Sequence, residues 1–292
     1  MGANVKHKDS VFSQLFGNPD SLRRLYSAIQ GIDLPADVPI DINTIRSALF
    51  MGRVNDISFT VDDRLVVLIE HQSGINHNMP LRLLMYIGRI YEKIADRRNI
   101  YQRALEKVPY PIFIVLYNGK APYPDHRILK LSDAFKDAGD LRTLTGDGPP
   151  LELVVQVYNI NEGHNLGLAA KCKELADYSF LIAKLREYGK TMTPDEAMEA
   201  AVRYCMENDV LREFLEKHGT EVINMLLEEW KIEDAQEAWY EEGIEKGREE
   251  GLEAGVEKTA RNALAKGLSL ELICEITGLD METVAGLQAG VQ

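Results

Sequence analysis

The segment Arg64-Leu65-Val66-Val67-Leu68-Ile69-Glu70-His71-Gln72 constrains this chain more than any other. An unbroken run of branched apolar residues fits a strand covered on both faces, the central position of a sheet flanked by helices. The run then turns polar, as a buried strand does where it leaves the sheet. Side chains alternate along a strand, so Glu70 and Gln72 share one face and His71 takes the other. Asp56 opens the preceding strand-like stretch, residues 55–61, which the Asp62-Asp63 step joins to this one. An antiparallel hairpin therefore brings Asp56 beside Glu70 and Gln72. Two carboxylates on a rigid sheet make a hard oxygen site suited to Mg²⁺, the donor set of metal-assisted hydrolysis.

Periodicity sets the organisation around this hairpin. Residues 10–30 show an amphipathic helical pattern bent near Gly17-Asn18-Pro19, and residues 40–50, 55–61 and 64–72 read as successive strands. A helix over 79–95, with Pro80 in its first turn, carries Leu83, Ile87, Ile90 and Ile94 on one stripe. Residues 111–118 form an apolar strand closed by Asn118-Gly119, and after a Pro- and Asp-bearing gap residues 151–160 form another. The fold class expected is a mixed α/β sheet domain over 1–167 followed by an all-α C-terminal region. Within that region we expect helices over 168–242, with Gly219 ending one and Thr193-Pro194-Asp195-Glu196 starting another by a capping box. Residues 243–267 repeat glycine every fourth position at Gly243, Gly247, Gly251 and Gly255, and 268–292 form a small helical tip with Asp280 as a cap.

Charge separates the halves as well. The net charge is −13, yet residues 1–167 hold 19 Lys and Arg against 19 Asp and Glu, whereas residues 168–292 hold 14 against 27. A neutral first half can carry a local basic surface; an acidic second half is poorly suited to lie along phosphates. The helix over 79–95 and its exit offer Arg82, Arg89, Lys93 and Arg97 on one face, a candidate DNA-backbone contact that otherwise is a solvated charged face. Cys172, Cys205 and Cys274 lack metal-ligand spacing and read as reduced, buried small residues. No apolar run reaches the roughly 20 residues of a membrane helix, and no signal-peptide pattern opens the chain, so a cytoplasmic location is expected.

The strings Asn55-Asp56-Ile57-Ser58-Phe59, Ile69-Glu70-His71-Gln72-Ser73 and Asn78-Met79-Pro80-Leu81-Arg82-Leu83-Leu84-Met85-Tyr86 resemble the Rpn family of recombination-promoting nucleases, also described as putative transposases. The opening Lys8-Asp9-Ser10-Val11-Phe12 is similar to that family's start, and the likeness covers most of residues 6–160. It implies a restriction-endonuclease-like αβββαβ core of the PD-(D/E)xK type, cleavage of DNA with Mg²⁺ or, as an alternative, Mn²⁺, and links to recombination, mobile elements or phage defence. By the same resemblance Asp56 and Glu70 are the metal-binding acids, and Asp9 is an additional acid on the first helix. Gln72 stands where the wider superfamily carries lysine. A neutral amide positions water or phosphate without stabilising charge as lysine does, which leaves two rival readings open. One is a DNA-binding scaffold with little or no turnover; the other is a helical protein-assembly module.

His71 points away from the acid pair and His77 lies in a loop, so neither is expected to act as the base. Four glycines inside a helix cost on the order of 1 kcal/mol each relative to alanine. The tract therefore reads either as a homo-oligomer contact between C-terminal helices or as a frayed linker.

Overall fold

The computed structural model describes residues 10–42, 56–95, 98–137 and 148–289. The opening helical pattern resolves into two helices, α1 (Val11–Leu15) and α2 (Pro19–Gln30). Asn18 separates them: its side chain accepts from Ser21 N at 2.9 Å, Pro19 takes the first helical position, and Gly31 closes α2 with φ 69°. Three strands follow, β1 (Ile40–Ile42), β2 (Ile57–Val61) and β3 (Leu65–Gln72). The part of the first expected strand from residue 43 to 50 lies outside the described residues. Asp62 and Asp63 both adopt left-handed backbone, φ 52° and 49°, and Arg64 N donates to the Val61 carbonyl at 3.0 Å, a tight turn that with Arg64 joins the paired residues Val61 and Leu65.

Helix α3 (Met79–Ile94) then crosses over to β4 (Tyr110–Tyr117), and β5 (His126–Lys130) and β6 (Val154–Asn159) complete the sheet in the order β1-β2-β3-β4-β6-β5. The pairs β3–β4 and β4–β6 are parallel and the rest antiparallel, as a mixed sheet requires. The register sets Gln72 opposite Tyr117, and Tyr117 opposite Asn159, so three strands release their C-terminal ends at one edge. Strand β5 was missed in the sequence because it is an edge strand in which only Leu129 is buried, without a two-sided apolar signal.

Each face of the sheet has its own core. Val66, Leu68, Val115 and Tyr117 pack with Leu83, Tyr86, Ile87 and Ile90 of α3 on one side. Val67, Ile69, Ile114 and Leu116 face α1 and α2 on the other, together with residues of the helices that follow. Those helices are α4 (Leu166–Ala169), α5 (Lys173–Tyr188), α6 (Pro194–Glu207) and α7 (Arg212–Ala265). Leu175, Tyr178, Leu181 and Leu185 of α5, with Met198 and Val202 of α6, bury their side chains in that second core. By compactness residues 1–230 form one unit and residues 231–292 a second. The change from strand to helix near residue 168 thus lies inside the first unit.

The capping box of α6 is present, Glu196 accepting from Thr193 N at 3.1 Å. Gly219 does not end a helix as expected; it lies within α7, and a Cβ there would stand 4.0 Å from Val202 of α6. Gly243, Gly247, Gly251 and Gly255 are helical too, within α7, and apart from the adjoining helix backbone nothing among the described residues lies within 4 Å of where their Cβ atoms would stand. In the second unit α8 (Leu270–Thr277) ends at Gly278, φ 74°, and Asp280 caps α9 (Met281–Ala289) by accepting from Thr283 N at 2.7 Å. Ala260, Ile273 and Val284 centre its small core. No helix among the described residues is long and apolar enough to cross a membrane.

Candidate active site

The hairpin joins the acids. Ile57 pairs with Ile69, so the residue before β2 meets the polar end of β3. Asp56 Oδ2 accepts a 2.7 Å hydrogen bond from His71 N, and Asp56 N lies 3.4 Å from Glu70 Oε1. Glu70 is 1% exposed, an uncommon position for a carboxylate. Its Oε2 receives Arg82 Nη2 at 2.9 Å and lies 3.4 Å from Gln72 Nε2. The Arg82 guanidinium also lies 3.4 Å from Tyr86 Oη. Asp56, Glu70 and Gln72, singled out in the sequence, are therefore assembled at one place on the sheet edge.

Arg82 is placed differently from its companions. Arg89 and Lys93 are exposed on α3, Arg89 within 3.8 Å of Glu92, whereas Arg82 curls inward onto Glu70. Arg97 lies outside the described residues, as does Asp9. Next to Asp9, Ser10 caps α1, and Ser13 Oγ of that helix reaches 3.5 Å from the Asp56 carbonyl oxygen. His71 sits on the opposite face as alternation requires: its ring stacks on Phe12 at 5.0 Å, with Tyr178 Oη 3.2 Å from Nε2. Burial there pushes its pKa down to about 4, with the Arg186 charge adding to the effect, so the ring is neutral at physiological pH. His77 is exposed in the loop before α3. Cys172 and Cys205 are buried, Cys274 half-buried, and all three are free thiols.

Burial pushes the Asp56 carboxyl up to about 6, against the lowering influence of the His71 amide and the Arg82 charge. A desolvated carboxylate beside a second buried one is held in a costly state that a bound cation relieves. Asp56 Oδ1 has no partner among the described residues. With Glu70 and the Gln72 amide oxygen it forms an all-oxygen donor set. Among the described residues no group of three His, Cys, Asp or Glu side chains converges on a point. Two carboxylates with water completing the shell suit Mg²⁺, which usually keeps several waters, so the residues fit that ion.

The raised Asp56 pKa has a consequence for the metal-free protein. Below the unfolded value, 3.8, Asp56 is protonated in both states and costs nothing; as pH rises, the folded state alone resists ionisation, and the penalty saturates above about 6. Asp56→Asn keeps an oxygen for the His71 amide. It is expected to raise stability in EDTA by on the order of 1–2 kcal/mol at pH 7–8, discounted for partial exposure, and to leave it unchanged near pH 4. Urea unfolding at the two pH values checks this; a gain of equal size at both removes the ionisation argument.

The sequence did not single out a second polar group on the same edge. Arg186 of α5 donates to Asn161 Oδ1 at 2.8 Å and to Asn118 Oδ1 at 3.3 Å, and also bonds the Asn118 carbonyl. Asn161 Nδ2 in turn donates to Asn159 Oδ1 at 2.9 Å and to the Gly119 carbonyl at 3.1 Å. Its only sequence signal was the cluster of asparagines just past two strands, which reads equally as turn chemistry. Gly119 is required where it stands, since a Cβ would collide with the Ser73 carbonyl and the Tyr117 ring.

No curated protein and no solved structure matches the chain. Residues 53–151, the segment that carries Asp56, Glu70, Gln72 and Arg82, match the family model described as "Putative transposase, YhgA-like".

Proposed function

We propose that the chain is a divalent-metal-dependent DNA endonuclease whose site is Asp56, Glu70 and Gln72, completed by Arg82. The observation that carries the reading is the pair of carboxylates held together by β2 and β3 at the sheet edge, one fully buried and the other with its pKa raised. The family description supports DNA as the partner. When bound, Mg²⁺ supplies Lewis acidity and a water acidified toward neutral pH. Asp56, fixed through Oδ2 by the His71 amide, and Glu70 would hold the ion through their carboxylates. The Gln72 amide orients water or a phosphate oxygen by hydrogen bonding. Arg82, ion-paired with Glu70, is a cation in the site that Gln72 does not supply, and it would be free to face phosphate where a metal ion takes over that carboxylate.

The test is incubation of the full-length protein with supercoiled plasmid in Mg²⁺, Ca²⁺ or EDTA. Nicking or linearisation in Mg²⁺ alone is expected. The scaffold reading has one observation in its favour, the neutral Gln72; DNA retention without cleavage in any metal would assign the chain to it.

A further inference from the structure

A cavity of about 570 Å³ opens beyond the C-terminal ends of β4 and β6, within the first unit. It falls within the roughly 300–1,000 Å³ of small-ligand sites. Its wall carries the cations Lys120, Arg186 and Lys190 and the aromatic rings of Tyr123 and Trp230. Arg186 is held by Asn118 and Asn161, neutral partners that fix the guanidinium and leave its charge uncompensated. Among the described residues neither Arg186 nor Lys190 has an ion-pair partner, and Glu162 is the one acid of those on the wall. Lys120 Nζ sits 5.4 Å from the Trp230 ring centroid. Gly189 admits that ring, because a Cβ there would stand 2.5 Å from Trp230 Cη2. The cavity is therefore lined by cations, Arg186 held in place among them, and by aromatic surface.

Its position relates it to the acid pair. Gln72 and Asn159 lie two strands apart at the same edge, roughly 10 Å at the usual strand spacing. Tyr123 also closes the small cleft beside Gln72.

We infer that this cavity binds one nucleotide unit, its phosphate on Arg186 and Lys190 and its base against Trp230 and Tyr123. Cationic side chains recognise phosphate without reading sequence, and an aromatic side chain stacks on any base, the combination by which proteins hold single strands. A base in a duplex is already stacked, so the occupant is a free nucleotide or an unpaired residue of a strand. As a subsite for DNA passing the acid pair, the cavity rests on the endonuclease reading; its binding chemistry does not.

The experiment uses full-length protein in EDTA with Trp239→Phe, which leaves Trp230 as the only tryptophan. Its fluorescence is followed during titration with a deoxynucleoside 5′-monophosphate, a single-stranded oligonucleotide and inorganic phosphate. Saturable quenching by the nucleotide is expected, with the oligonucleotide binding more tightly and phosphate about tenfold or more weaker than the nucleotide. Lys190→Ala, at an exposed position, is expected to weaken nucleotide binding about tenfold with melting unchanged. Tighter binding of the oligonucleotide identifies a strand as the source of the unit, and equal affinities identify the free nucleotide. Phosphate binding as tightly as nucleotide, unchanged affinity in Lys190→Ala, or no quenching would each overturn the inference. Asp56→Asn separates the two readings: nucleotide binding that survives in a protein that cuts nothing keeps the cavity, and cleavage by a protein that binds no nucleotide keeps the nuclease.

Discussion

Arg82→Ala is expected to cost the metal-free protein about 3 kcal/mol at neutral pH, the low end for breaking a buried ion pair because Arg82 itself is partly exposed. The loss arises mainly on the partner: Glu70, 1% exposed, is left a buried carboxylate without the Arg82 guanidinium. For a unit of this size the melting temperature should fall by roughly 6–12 °C. Addition of Mg²⁺ should then recover more stability in the variant than in the wild type, since the ion no longer competes with a resident cation for the same carboxylate. Differential scanning fluorimetry with and without Mg²⁺ checks both parts. A variant that melts with the wild type, or gains no more from Mg²⁺, would show that Arg82 does not neutralise Glu70.

The same pair marks where sequence reasoning succeeds and where it stops. A strand apolar on both faces has one stable place, the middle of a sheet, and an antiparallel hairpin closed at Asp62-Asp63 sets the start of one strand beside the end of the next; from these the meeting of Asp56 with Glu70 and the turning away of His71 follow. Arg82 was legible only as a helix position. The helical projection sets it beside Arg89 and Lys93, but a long side chain departs from its projected direction when a buried carboxylate is within reach. Gly219 illustrates a different limit: glycine signals a helix end or a close crossing equally, and packing against α6 decides between them. The helices after residue 168 look like a separate region because their periodicity changes, yet the apolar side chains of α5 and α6 complete the core on the sheet's second face. Periodicity reports local structure, and which face an amphipathic helix covers is a tertiary fact.

Glu70→Gln is expected to reduce DNA cleavage by on the order of 10³-fold or more while preserving the fold, because the amide keeps the size and an oxygen for Arg82 but loses the charge that holds a divalent ion. Gln72→Ala should cost less, about 10- to 100-fold, since its amide orients without bearing charge. The direct measurement is the rate of supercoiled-plasmid cleavage by wild-type and Glu70→Gln proteins of matched purity and melting temperature, each in Mg²⁺ and in EDTA. The account predicts Mg²⁺-dependent cleavage by the wild type and none detectable from the variant. Equal rates from the two proteins in Mg²⁺ would contradict it.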